Sequence, residues 1–204
     1  MQQENFSPQQ SIDLIQSMIS KTKNTVADSS VFFLLWGWVV FGACLLQYFL
    51  KNIVHYSHHY YAWLLIIVGI AGSFHLGARQ NKKTKVKTYI DESIDNLWIS
   101  IGITFFALAF IFSKIGYEYS FTFYMLLYGI GCFITGRLIK FTPLVWGAAG
   151  AWILAVVSAW FDYDTNILIT AASILISYII PGYMLRKRYK NKSKSNERSG
   201  IINR

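Results

Sequence analysis

The chain has 204 residues, of which 54% are hydrophobic and 14% charged, and its formal charge is +9. Soluble domains carry roughly 25% charged residues, so this composition leaves too little polar surface to coat a water-soluble fold. Two cysteines are too few for the framework of a small disulfide-stapled secreted domain.

Residues 1–30 are polar and lack a basic start followed by an apolar core. No cleavable signal is therefore expected, and the first span serves as an uncleaved anchor. Within this segment Ser7-Pro8-Gln9-Gln10 reads as a helix start, with Ser7 as N-cap, Pro8 at the first helical position and Gln10 closing a capping box. Ile12, Ile15, Met18, Ile19 and Val26 then fall on one helical face, opposite Gln9, Asp13, Gln16, Ser17 and Ser20. This pattern predicts an amphipathic helix over 8–25, lying on the inner membrane surface or docked on the bundle.

Apolar blocks follow at about 31–50, 60–78, 96–113, 121–138, 144–160 and 166–185. Each is roughly 17–20 residues long, and at 1.5 Å per residue each crosses a hydrocarbon core of about 30 Å. Between the second and third blocks lies a basic run. After it Val86, Ile90, Ile94 and Leu97 repeat at helical spacing, with Lys87, Asp91, Glu92 and Asp95 on other faces; this predicts a second interfacial helix running into span 3. From about Lys190 the chain is Lys, Ser, Asn and Arg without periodicity, the signature of a disordered tail.

The spans repeat a spacing. Trp38-x3-Gly42, Trp98-x3-Gly102 and Trp146-x3-Gly150 each open an apolar stretch. Gly72-x4-Gly77, Gly131-x4-Gly136 and Ser177-x4-Gly182 answer them, each followed by a basic residue at Arg79, Arg137 or Arg186. Repetition at a fixed period decides architecture. The expected fold is all-α: a polytopic membrane protein of six transmembrane helices in three tandem hairpin repeats plus the N-terminal amphipathic helix. Its parts are a cytoplasmic segment over 1–30, a membrane domain over 31–186 with hairpins at about 31–78, 96–138 and 144–186, and a basic tail over 187–204.

Every Lys and Arg except Lys51 and Lys114 falls on one side of this scheme. Basic residues mark the cytoplasmic side of short loops, so both termini are expected in the cytoplasm. The positive charge is then a topology signal. It favours anionic headgroups at the basic link and tail as partners, with a membrane or cytoplasmic protein as a further partner and no nucleic acid.

Few residues carry chemistry. Intramembrane ionisable groups are costly and mark function, and His75, within one turn of Arg79, is the best candidate; a satisfied interfacial histidine is the plainer reading. Gln47, Thr104 and Thr135 are placed to bridge helices. Arg137 completes the set of polar candidates. His55, His58 and His59 cluster beside Tyr56, Tyr60 and Tyr61 in the outer loop. They are weak metal or pH-sensing candidates if Glu118, Asp162 and Asp164 gather there. An aromatic headgroup belt explains them equally. Cys44 and Cys132 read as apolar packing residues. Pro181-Gly182 is the one place where a span is expected to bend. No Walker loop, HExxH, GxSxG or CxxC motif is present, and no cofactor, metal or catalytic residue is expected.

The hairpin opened by Trp and Gly and closed by Gly, written three times over about 34–186, resembles the HdeD-like acid-resistance proteins. That resemblance implies a small bacterial inner-membrane protein of six helices in three hairpins and supplies no catalytic residue. The chain departs from the family in its N-terminal helix, its basic link at 79–95 and the absence of proline in its outer turns. The Lys-, Asn-, Ile- and aromatic-rich style is also similar to uncharacterised six-span bacterial proteins. The functional expectation is a non-enzymatic scaffold, sensor or stress-related membrane protein of the inner membrane, with packing at Trp38, Trp98, Trp146, Gly42, Gly102, Gly150, Gly77, Gly136 and Gly182. The alternative is a small-solute transporter or channel; a membrane enzyme ranks third.

Overall fold

The computed structural model describes residues 8–81 and 89–188, with side chains from Ser30 to Ala78 and from Tyr89 to Arg188. The Ser7 cap, the apolar face of 8–25, the start of the second interfacial stretch and the tail beyond Arg188 lie outside these residues. Six helices follow in order: α1 Pro8–Asn52, α2 Leu65–Asn81 entered through a 3-10 turn His59–Leu64, α3 Tyr89–Ile115, α4 Ser120–Leu138, α5 Thr142–Ser158 and α6 from Tyr163. No strand occurs among the described residues. The spans Ser30–Asn52, His59–Ala78, Tyr89–Ile115, Ser120–Leu138 and Tyr163–Arg188 are long and apolar enough to cross a membrane. At 17 residues α5 stands at the lower limit for crossing.

One boundary differs from the sequence reading. The N-terminal helix does not end near residue 25 but continues unbroken into the first span. Residues 24–30, Asn-Thr-Val-Ala-Asp-Ser-Ser, contain neither Gly nor Pro, so nothing local stops the helix. The second interfacial stretch, from Tyr89 on, does run into span 3 without a break.

Helix ends are set by identifiable devices. At the end of α4 the Phe141 N–H bonds the Gly136 carbonyl at 2.8 Å and the Lys140 N–H bonds that of Arg137 at 3.2 Å, a Schellman motif. Lys140 takes the left-handed position at φ 52°, and Pro143 sits in the first turn of α5. After α3, Gly116 at φ 100° turns the chain where a side chain would be strained. Asp162 caps α6 by accepting bonds from the Asp164 and Thr165 N–H groups at 3.1 and 3.3 Å.

The core is built by α1, α4, α5 and α6. Met125, Cys132, Leu144, Ala148, Ala151 and Ile174 are at most 2% exposed and belong to one packed cluster. The helices α2 and α3 are peripheral: 11% of each span is buried, against 56% for α6. α2 packs on α1, with Trp36 over Gly69 and Leu35 over Gly72. α3 packs on α4, with Trp98 and Ile101 over Gly131.

Midway along α6 the helix widens into a π turn at Leu175–Ile179, where the Ile180 N–H reaches back to the Leu175 carbonyl. Pro181, the next residue, has no N–H to offer. The irregularity in this span is the π turn immediately before Pro181-Gly182, the place where the sequence reading expects a bend. Gly147 of α5 and Gly37 of α1 press against this turn. A β-carbon on Gly147 would lie 2.9 Å from both the Ile176 carbonyl oxygen and the Ser177 Cα, and one on Gly37 would lie 2.9 Å from Ile179 Cγ1.

Since the neighbour at Gly147 is backbone, Gly147→Ala is expected to destabilise the protein by about 1–3 kcal/mol. Gly42 has nothing within 4 Å of its would-be β-carbon, so Gly42→Ala should be neutral or stabilising by about 0.5–1 kcal/mol. Unfolding of the two variants in detergent micelles measures the contrast, and equal effects would contradict the packing described.

Candidate functional site

Three places gather polar or cavity-forming side chains. The first joins α1, the 3-10 turn and α6 at the end of the bundle that carries the 53–58 loop. Gln47 is 1% exposed and is bonded at both ends of its amide. Trp63 Nε1 donates to its Oε1 at 2.7 Å, its Nε2 donates to the Tyr163 hydroxyl at 3.0 Å, and Nε2 stands 3.3 Å from His59 Nδ1. The indole N–H fixes the carbonyl side of the amide, so the NH₂ faces His59 and Nδ1 acts as acceptor. That requires the neutral imidazole protonated at Nε2. Beside this cluster Lys51 pairs with Asp164 and lies 4.7 Å from the Tyr163 ring centroid.

The three outer histidines diverge. His59 turns inward to Gln47, whereas His58 packs among Tyr56, Tyr60 and Tyr61 with ring centroids 5.4–5.8 Å apart. His55 is exposed in a left-handed turn at φ 54°. Of the loop carboxylates, Asp164 is held by Lys51 and Asp162 by the α6 cap. Among the described residues no group of three or more His, Cys, Asp or Glu side chains could hold a metal.

The second place is a polar seam along α4, α6 and the end of α5. The Tyr128 hydroxyl meets Ser173 Oγ at 2.5 Å, Ser177 Oγ donates to the Ser173 carbonyl at 2.7 Å, and the Thr122 and Ser158 hydroxyls meet at 2.6 Å. The Cys132 thiol points at the Ser177 carbonyl at 3.8 Å, the acceptor that Pro181 would have bonded in a regular α-helix. Cys132 therefore has a partner that sequence reading missed. Two buried oxygens, Thr135 Oγ1 and Asn166 Oδ1, have no hydrogen-bond partner among the described residues. Thr135 is thus buried but bridges nothing, and Thr104 bonds its own helix at the Ser100 carbonyl.

The third is a lateral groove of about 560 Å³ between α1, α2 and the end of α6. Val31, Leu34, Leu35, Trp38 and Val39 come from α1, Leu65 and Leu76 from α2, and Tyr183 and Arg186 from α6. Trp38 Nε1 donates to the Tyr183 hydroxyl at 3.3 Å. Arg186 makes no hydrogen bond or ion pair with another described residue, whereas Arg188 reaches the Lys140 carbonyl at 3.4 Å and lies over Phe141.

The remaining candidates are placed as follows. His75 and Arg137 are exposed on α2 and α4, and Arg79 lies in the α2 backbone with its side chain outside the described residues. The three Trp of the repeated spacing meet different surroundings: Trp98 touches Phe33 and Tyr178 edge-on, while Trp38 is 49% and Trp146 73% exposed. Gly136 and Gly182 meet Val145 and Leu34 closely, and Gly150 meets Ile176. Gly42, Gly77 and Gly102 face open space. No family model, curated protein or solved structure matches this chain.

Removing the Gln47 amide strands the Trp63 donor and the Tyr163 acceptor together, so Gln47→Leu is expected to destabilise by about 1–3 kcal/mol, measured by unfolding in micelles; a neutral result would mean that water takes over these bonds. At Asp162 the Thr165 hydroxyl and N–H hold the carboxyl below the usual carboxylate range. A depressed carboxyl stabilises the fold above its unfolded pKa of about 3.9, and the contribution is lost as pH falls through the native value. Asp162→Asn keeps an N-cap without the titration. Below about pH 4 the wild type should lose stability relative to this variant, and parallel pH profiles would contradict it.

Proposed function

We propose that this chain is a non-enzymatic multi-pass protein of the bacterial inner membrane, acting as a scaffold, sensor or stress-related component. The observation that carries this reading is the packing of its centre. Met125, Ala148, Ala151 and Cys132 are fully buried, and the polar side chains beside them are engaged within the protein, Tyr128 with Ser173 and Ser177 with the Ser173 carbonyl. A transport route needs a wet, polar passage; this core is filled with side chains. The three tandem hairpins and the likeness to HdeD-like proteins belong to the same reading, supported by the spaced Trp and Gly of the sequence.

Orientation is part of the proposal. Arg137, Lys140, Arg186, Lys187 and Arg188 share one end of the bundle, and the cytoplasmic side attracts such residues. Reporter fusions after His55, Tyr117 and Tyr163 should read outside, and those after Thr84, Lys140 and Ser195 cytoplasmic. A cytoplasmic signal at Tyr117 would sink the scheme.

One observation favours a second reading, a small-solute transporter or channel. The π turn before Pro181 interrupts a spanning helix, and interrupted helices house transporter sites. The two readings differ in liposomes with a trapped pH dye. The scaffold reading expects no flux driven by a pH gradient, and it expects His75→Ala to change stability by no more than about 1 kcal/mol. A flux abolished by that substitution would promote the transporter.

A further inference from the structure

We infer that the lateral groove between α1, α2 and the end of α6 binds one anionic phospholipid, its acyl chain along the apolar wall and its phosphate at Arg186. The inference rests on the membrane placement and orientation proposed above and adds to them a defined lipid site.

Its dimensions carry the first part. The α2 wall runs from Leu65 to Leu76, about 16 Å at 1.5 Å per residue, close to the roughly 15 Å depth of one leaflet of a 30 Å hydrocarbon core. Leu35, Val39, Leu65 and Leu76 offer only hydrocarbon, and both flanking helices are spans. Water in such a groove would lose hydrogen bonds, so a chain from the bilayer is the occupant that suits it.

Charge carries the second part. Arg186 stands at the basic end of the groove, exposed and without a partner among the described residues. Its neighbour Arg188 is already engaged with Lys140 and Phe141. A guanidinium at headgroup level, with its fork of donors uncommitted, matches a phosphate diester, and a lipid without a choline cation leaves that phosphate's charge unopposed for Arg186. Lys187, exposed at the same level, adds to the positive field there. Trp38 lies along the groove with its N–H tied to Tyr183, so its indole ring is an internal reporter of the site.

The test uses the full chain in phosphatidylcholine nanodiscs that contain a minor fraction of lipid brominated on the acyl chain, either phosphatidylglycerol or phosphatidylcholine. The signal is the quenching of Trp38, taken as the difference between the wild type and Trp38→Phe. Brominated phosphatidylglycerol is expected to quench Trp38 at lower mole fraction than brominated phosphatidylcholine. Arg186→Gln should reduce that preference about fivefold, the ratio given by about 1 kcal/mol per basic residue near a membrane surface, and Arg186→Lys should restore most of it. Leu76→Phe, which fills the groove and leaves the charge, should weaken quenching by both lipids. Equal quenching by both lipids would leave the membrane placement standing and overturn the site. A preference that survives Arg186→Gln would overturn the assignment of the phosphate. If neither lipid quenches Trp38 but aqueous iodide does, the membrane placement of this face fails with it. If nothing quenches Trp38, protein covers the groove, either a second copy or the chain's own tail, and the proposal fails.

Discussion

Pro181 imposes the constraint around which the bundle is arranged. Without an N–H it cannot close the turn above it, and in lipid an unsatisfied backbone carbonyl costs several kcal/mol. The helix answers by widening over Leu175–Ile179, which redirects carbonyls toward its neighbours. Each neighbour is shaped to receive them. Gly147 brings α5 to van der Waals distance of the Ile176 carbonyl, Gly37 admits Ile179 from the α1 side, and Cys132 of α4 turns its thiol to Ser177. Three helices are therefore positioned by one irregular turn of a fourth, which is why α1, α4, α5 and α6 form the core.

Within a bilayer the hydrophobic effect does not hold helices together, because lipid tails are as apolar as leucine. Close packing and interhelical hydrogen bonds, the latter averaging about 0.6 kcal/mol, supply the cohesion. The distribution of small residues follows from this. Ala148, Ala151 and Ala155 are fully buried along α5, and Gly136 lies against the start of the same helix. At the end holding the 53–58 loop, a single buried amide, Gln47, ties the entrance of α2 and the start of α6 to α1.

The apolar helices, five of them long enough to cross a membrane and α5 shorter, were legible because length and apolar composition are one-dimensional properties. Gln47 was legible as a polar residue in an apolar block. Its partners Trp63 and Tyr163 were not, being 16 and 116 residues away and reading locally as interface aromatics. The three outer histidines illustrate the same limit. Adjacent in sequence, they are separated by a 3-10 turn that faces His59 inward and leaves His58 among tyrosines. The continuity of α1 was missed because an amphipathic face suggested a separate element, although nothing in residues 24–30 breaks a helix. Equal spacing also hid unequal surroundings: Trp98 reaches the core across α3, while Trp146 looks outward from α5. A Trp-x3-Gly spacing specifies a helical face, and which neighbour meets that face depends on the order of helices around the bundle.

The peripheral helices differ in a way that bears on how such a protein could sense its surroundings. A sensor needs an element whose position has more than one state of similar free energy. The core does not supply it, since the π turn is wedged between Gly37 and Gly147, and at Gly147 the close neighbours are backbone atoms. α3 packs on α4 through Phe105 and Phe112, and Trp98 anchors it in the core. α2, as little buried as α3, is held by Trp36 to Ser73 at 3.0 Å, the leucine and indole contacts at Gly72 and Gly69, and the Trp63–Gln47 bond at its entrance. Between α2 and the fixed end of α6 lies the groove. Its walls therefore belong to a peripheral helix and to the most constrained part of the fold, and whatever fills it is in contact with both. An occupant that binds one spacing of these walls better than another shifts α2 by that difference in affinity and no more.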